Sequence, residues 1–360
     1  MDQAILGNLD TLSVDQVLHV VDTMWYPRYK RLVPIMTSLK TMEDDTLYSS
    51  TYSQLCFEVG NVKKFIANFM AEITQKFQVE TLLDDTEDKL YAIYAHCQVC
   101  QGDLERYLDI HRRPPLISEE QFRKSIELYL SAVGARPEYG KAFSGLFLVA
   151  VRHQRVLLAT AYLVKSMTVK DHHSTNMKPL QGIVDSFMEN PSELKDVPIP
   201  ARACVANCLS LLVLHMTDNA EQTDRGKELL KLIHQSMPAK DLADVVPNPL
   251  FPQLDWDTVL VILLVDAVRT RMPPDLLEVL QILIGRALTL RRLFPIAACL
   301  EFALGTPSMA SVVNAIRSQA LTVITREELT AEMAEAALPM DHLLGAVSHG
   351  NSSFSNADVA

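Results

Sequence analysis

The segment Gly102-Asp103-Leu104-Glu105-Arg106-Tyr107-Leu108, preceded about seventy residues upstream by Tyr29-Lys30, places one Arg, one Lys and two phenols where two long helices could bring them together. That set suits a phosphate dianion. A guanidinium fork offers two parallel donors, an ammonium adds a point charge, and a phenol supplies a third donor. The chemistry to expect is recognition of a phosphorylated group rather than its turnover.

Such side chains need rigid carriers, and the pattern around them is helical. Leu90, Ile93, Tyr94, Cys97, Val99, Leu104 and Leu108 recur at helical spacing, which predicts a helix over residues 87–108 with Arg106 near its C-terminal end. Leu55, Val59, Val62, Ile66, Phe69 and Ile73 mark one face of a helix over 47–78. Residues 14–42 are helical in pattern, with Ser13 and Gln16 as a capping box, but Pro27 and Pro34 should each kink or break that helix. A residue near a helix end that points into a groove carries little packing. Reversing Arg106 to Glu is therefore expected to spare folding.

Beyond Arg112-Arg113-Pro114-Pro115 the pattern changes to shorter helices. Ser118 with Gln121 should open one that runs to about Ala135, and others are expected over 139–153, 156–170 and 176–190. Tyr129, Ala132, Pro137, Gly140, Ala142, Leu146 and Ala150 fit a tetratricopeptide-like unit loosely. Further helices are expected over 201–216, 223–237, 256–271, 275–290, 293–304, 308–324 and 326–337. With 12 Gly and abundant Leu, Ala, Val and Glu, the chain reads as all-α. The expected division is a helical domain over 1–240, a helical-hairpin extension over 241–347 with the proline-rich link 247–252 marking the boundary region, and a disordered tail over 348–360.

Charge and cysteine usage narrow the function classes. A net charge of −11 disfavours generic binding along a nucleic-acid backbone, whereas local basic clusters such as Arg28/Lys30/Arg31, Lys63/Lys64, Arg106/Arg112/Arg113 and Arg123/Lys124 suit a discrete anion. Six Cys without framework spacing read as reduced thiols of a cytoplasmic protein, with shuttling to the nucleus left open. The N-terminal stretch carries Asp2 and Asp10 with no basic flank, so no signal peptide is expected. The apolar runs 205–216 and 259–265 are too short for a bilayer, so no membrane partner is expected.

Catalytic patterns are missing: no Gly-rich phosphate loop, no Gly-x-Ser-x-Gly, no His-Glu-x2-His. No enzyme activity, catalytic residue, metal or cofactor is expected. His96-Cys97-x2-Cys100 with Cys204-x3-Cys208 could be read as zinc ligands, but Cys97 falls on the inward face with Ile93 and Tyr94, which favours small buried hydrophobes. Adjacent His172 and His173 fall in an expected turn and read as solvated.

Trp25-x3-Tyr29-Lys30, Lys64-Phe65-Ile66, His96 to Tyr107, and the segment 129–186 follow one another in an order that resembles a known family. They are similar to the amino-terminal 14-3-3-like domain of the nonsense-mediated decay adaptors SMG-five, SMG-six and SMG-seven, shared with the telomerase factor ever-shorter-telomeres. The resemblance covers roughly residues 14–190 and does not choose between SMG-five and SMG-seven. It implies that Lys30, Arg106 and Tyr107 hold a phosphate. Ser144-Gly145-Leu146 stands where the family has Asn-Gln-Leu, so Ser144 is the implied but weakened peptide contact, and Thr37 replaces a second basic residue. Heterodimerisation with a paralogue is implied too, through a face carrying Lys63, Lys64, Asn68 and Glu72.

The function so implied is a non-enzymatic adaptor that reads phosphoserine or phosphothreonine on the decay RNA helicase and recruits phosphatase, deadenylation or decapping factors, with no direct nucleic-acid contact. A phosphorylation-independent helical-repeat scaffold and a telomerase-associated factor are the alternatives.

Overall fold

A computed structural model describes residues 12–77, 84–115, 120–172, 177–195, 197–216, 222–236 and 279. Among them there is no strand, and the architecture is an all-α helical array. No described helix is long and apolar enough to cross a membrane. The expected link at 247–252, the helices and hairpin extension beyond it, and the tail at 348–360 lie outside the described residues. The chain divides into two compact units, Met1–Val149 and Ala150–Ala360.

In the first unit α1 (Val14–Thr41), α2 (Asp45–Phe77) and α3 (Asp84–Ile110) pack against one another, and α4 (Arg123–Ala135) lies along α3. The capping box at Ser13 and Gln16 forms as expected, with each residue's backbone N–H bonded by the other's side chain. The expected core face of α2, from Leu55 to Ile73, is buried. Directions follow from cross-helix bonds. Tyr48 and Tyr52 donate to the carbonyls of His111 and Leu108, whereas Thr74, later in α2, meets Tyr94, earlier in α3, so these two helices are antiparallel. The two phenols also satisfy carbonyls at the C-terminal end of α3, where helical partners run out.

Two expectations are corrected here. Pro27 and Pro34 lie inside α1 and neither breaks it, since the helix continues through both. A mid-helix proline costs about 3 kcal/mol, but Val17, Val21, Met24, Leu32, Met36 and Leu39 are buried along the helix on both sides of Pro27. Arg28 adds to this by donating from Nη1 to the Met24 carbonyl at 2.6 Å, with its guanidinium 3.7 Å above the Phe65 ring. Core burial outweighs the local breaker. The second correction concerns the start of α4. Ser118 lies outside the described residues, Gln121 and Phe122 are turn, and the helix begins at Arg123. Phe122 takes the left-handed φ of 64° as N-cap, and its N–H donates to Asp109 Oδ2 at 2.9 Å. A carboxylate thirteen residues upstream, not a local hydroxyl, fixes this terminus.

α5 (Gly140–Arg152) spans the division between the units. In the second unit, α6 (Val156–Thr168) is buried on all sides from Leu157 to Ser166, and α8 (Arg202–Met216) from Cys204 to Val213. Helices apolar all round belong inside a stack. α7 (Met177–Glu189) packs on both α6 and α8, and α9 (Gln222–Ser236) packs on α8, each through one apolar face that includes Leu180, Val184 and Phe187, or Leu229 and Ile233.

Candidate functional site

α3 and α4 run antiparallel, since Arg106 meets Tyr129 while His96, earlier in α3, meets Tyr139 beyond the end of α4. That direction brings the α3 turn 103–107 opposite the middle of α4. Arg106 donates from Nη2 to Asp103 Oδ1 at 2.8 Å and from Nε to the Tyr129 hydroxyl at 3.2 Å. Tyr129 donates in turn to the same Asp103 oxygen at 2.7 Å. The three groups close a ring of hydrogen bonds. Only 12% of the Arg106 side chain is exposed.

Burial works against the guanidinium's charge, but Tyr129 and Asp103 outweigh it and hold Arg106 above its ordinary pKa. It is a permanent cation. Burial, with Asp103 adding to it, pushes the Tyr129 and Tyr107 hydroxyls upward, so both phenols are protonated donors near neutral pH. The guanidinium carbon also lies 4.8 Å from the centre of the Tyr107 ring.

The expected phosphate-binding residues are placed as follows. Tyr107 and Tyr29 meet with ring centres 6.0 Å apart, so α1 and α3 touch at positions adjoining Lys30 and Arg106. Lys30 is exposed, its ammonium 4.6 Å from the centre of the Tyr26 ring on its own helix. Arg106 does not point freely into a groove as expected. Its charge is already matched by Asp103, because an Asp three residues earlier on a helix lies on the same face.

Ser144 is half-buried on α5, next to Gly145, whose backbone touches the Tyr129 ring. On α2, Lys64 and Asn68 are exposed and Glu72 is half-buried. Lys63 forms an ion pair with Glu105 of α3, which ties α2 to the turn carrying Arg106. The basic clusters of the sequence are therefore less basic in space. Arg28 is buried, and Lys63, Arg106 and Arg123 each have a carboxylate partner.

Cys97 and Cys100 are buried in the first unit, and Cys204 and Cys208 in the second. Among the described residues, no three His, Cys, Asp or Glu side chains are grouped to hold a metal ion. Burial pushes the Cys97 thiol up to about 12, from an ordinary value near 9. Below pH 9 both folded and unfolded chains keep this proton. Above it the unfolded thiol ionises first, so stability should fall by up to about 1.4 kcal/mol per pH unit until the folded thiol also titrates. Urea unfolding of wild type and Cys97→Ala between pH 8 and 11 measures this, with the shallower slope expected for the variant.

Sequence reasoning passed over Asp103, Tyr129 and Gly145 as parts of this site. Asp103 could have been found as the i,i+3 partner of Arg106. Tyr129 stood only as a bulky repeat position, and nothing local links it to a residue 23 positions earlier. No protein-family model matches the chain.

Proposed function

We propose that the chain is a non-enzymatic phosphoprotein-binding adaptor in which the α3 turn 103–107 reads the phosphate and Lys30 adds a second cation. The observation that supports this reading is the fixed Arg106 guanidinium, oriented by Asp103 and Tyr129 and laid against Tyr107, which in turn touches Tyr29 beside Lys30. A guanidinium held before the ligand arrives loses little rotamer entropy on binding. In the setting suggested by the family resemblance, the ligand is the phosphorylated helicase of nonsense-mediated decay, and the chain recruits decay or dephosphorylation factors to it.

One observation favours the rival scaffold reading. Asp103 occupies part of the donor fork and repels a second anion, which is what an internal staple between α3 and α4 would look like. A degenerate peptide pool fixed at one central phosphoserine, titrated beside its unphosphorylated twin, separates the two. Charge-assisted hydrogen bonds contribute about 1.5–3 kcal/mol each, so the adaptor should prefer the phosphorylated pool by at least ~10-fold. Equal binding of both pools leaves the scaffold.

A further inference from the structure

Tyr129 is fully buried, and its ring is seated between two glycines on different helices. A Cβ at Gly102 of α3 would lie 2.6 Å from Cε1 of that ring, and one at Gly145 of α5 would lie closer still. Real Cβ atoms do not approach so near, so the ring occupies space that any other residue at either glycine would take. Its hydroxyl then has one place to go. It donates to Asp103 and accepts from Arg106 Nε, at 2.7 and 3.2 Å.

We infer that Tyr129, cradled by Gly102 and Gly145, is a positioning residue that turns the Nε–H of Arg106 inward and so leaves the Nη donors that Asp103 does not engage to meet a phosphate. The inference rests on the adaptor reading above. Without the hydroxyl, Arg106 keeps the i,i+3 carboxylate, which restrains one Nη atom, and the face of the Tyr107 ring, but nothing that fixes the direction of its Nε–H. Asp103 loses its neutral donor in the same step and binds the guanidinium more tightly, in competition with any ligand.

The test uses the full chain labelled with ¹⁵N-arginine, comparing wild type with Tyr129→Phe, which keeps the ring in its cradle. In wild type, Arg106 Hε should exchange with water at least ~10-fold more slowly than that of exposed Arg31, because its bond to Tyr129 is sequestered. In Tyr129→Phe that protection should vanish, and affinity for the phosphoserine pool should fall at least ~5-fold while affinity for the unphosphorylated pool stays unchanged. A tyrosine serving only to fill the core would shift the thermal midpoint and leave the preference for phosphate intact. Undiminished preference in Tyr129→Phe overturns this inference and leaves the adaptor reading standing, whereas a wild type indifferent to phosphorylation overturns both. Should the variant prove too unstable to titrate, the wild type decides alone: an Arg106 Hε that exchanges as fast as that of Arg31 overturns the inference.

Discussion

Arg106→Glu is expected to cost the first unit about 2–3 kcal/mol of stability in addition to its preference for phosphorylated peptide. Removing one member of a buried ion pair costs about 3–5 kcal/mol, reduced here because the Arg106 and Asp103 side chains remain 12% and 21% exposed. The new carboxylate would sit beside Asp103 with no cation between them. Tyr129 could satisfy only one of the two acids. In thermal unfolding this corresponds to a midpoint lowered by roughly 4–12 °C for a unit of this size.

Lys30→Glu should behave otherwise. Lys30 is exposed and touches only Tyr26 of its own helix in the interaction described, so its reversal should leave the midpoint within about 1–2 °C while weakening phosphopeptide binding ~10-fold or more. Arg106→Lys completes the set. It keeps the charge but loses the fork, so affinity should drop with a smaller loss of stability than in Arg106→Glu. If Arg106→Glu unfolds at the wild-type temperature, the hydrogen-bonded ring around Asp103 contributes nothing to the fold. If Lys30→Glu binds as wild type does, Lys30 has no part in the site.

The second large effect is expected at Gly145. Alanine normally stabilises a helix interior by about 1 kcal/mol over glycine, so the sign at each helical glycine depends on what its Cβ meets. At Gly145 and Gly102 the methyl would collide with the Tyr129 ring, which is fully buried and cannot swing away. Overpacking of this kind costs about 1–3 kcal/mol, and loss of the Tyr129 hydroxyl bonds adds about 1 more. Gly145→Ala should therefore destabilise by about 1–3 kcal/mol after the propensity gain is subtracted. Gly60, in the exposed face of α2, has nothing within 4 Å of its would-be Cβ, and Gly60→Ala should raise stability by about 0.5–1 kcal/mol. Urea unfolding of the two variants measures these effects. Equal shifts of one sign at Gly60 and Gly145 would mean that the ring yields and the cradle is loose.

The helices were legible in sequence wherever burial is set by periodicity. The α2 face from Leu55 to Ile73 is an unbroken 3.6-residue pattern, and each of its members is in the core. Pro27 and Pro34 misled because proline acts locally, whereas the packing that keeps α1 one continuous helix through them comes from residues of α2 such as Phe65, whose ring lies against Arg28. The start of α4 was hidden for the same reason, because its cap, Asp109, belongs to another helix. At the candidate site the cations could be read from residue type, but their pairing could not. Ser144-Gly145-Leu146 looked like the loss of an asparagine, when its glycine is what admits the Tyr129 ring.

The pairing of Asp103 with Arg106 also bears on how fast an anionic partner could be caught. At 2.8 Å the two charges present a dipole to anything far away, and a dipole's field decays faster with distance than that of a lone charge. Exposed charges are screened beyond roughly 8 Å in physiological salt. On the adaptor reading, long-range capture by a chain of net charge −11 would therefore fall to exposed cations such as Lys30, with Arg106 acting only after contact. On that reading, arrival and retention would be governed by different residues, the exposed cations bearing on the association rate and the guanidinium on the residence time.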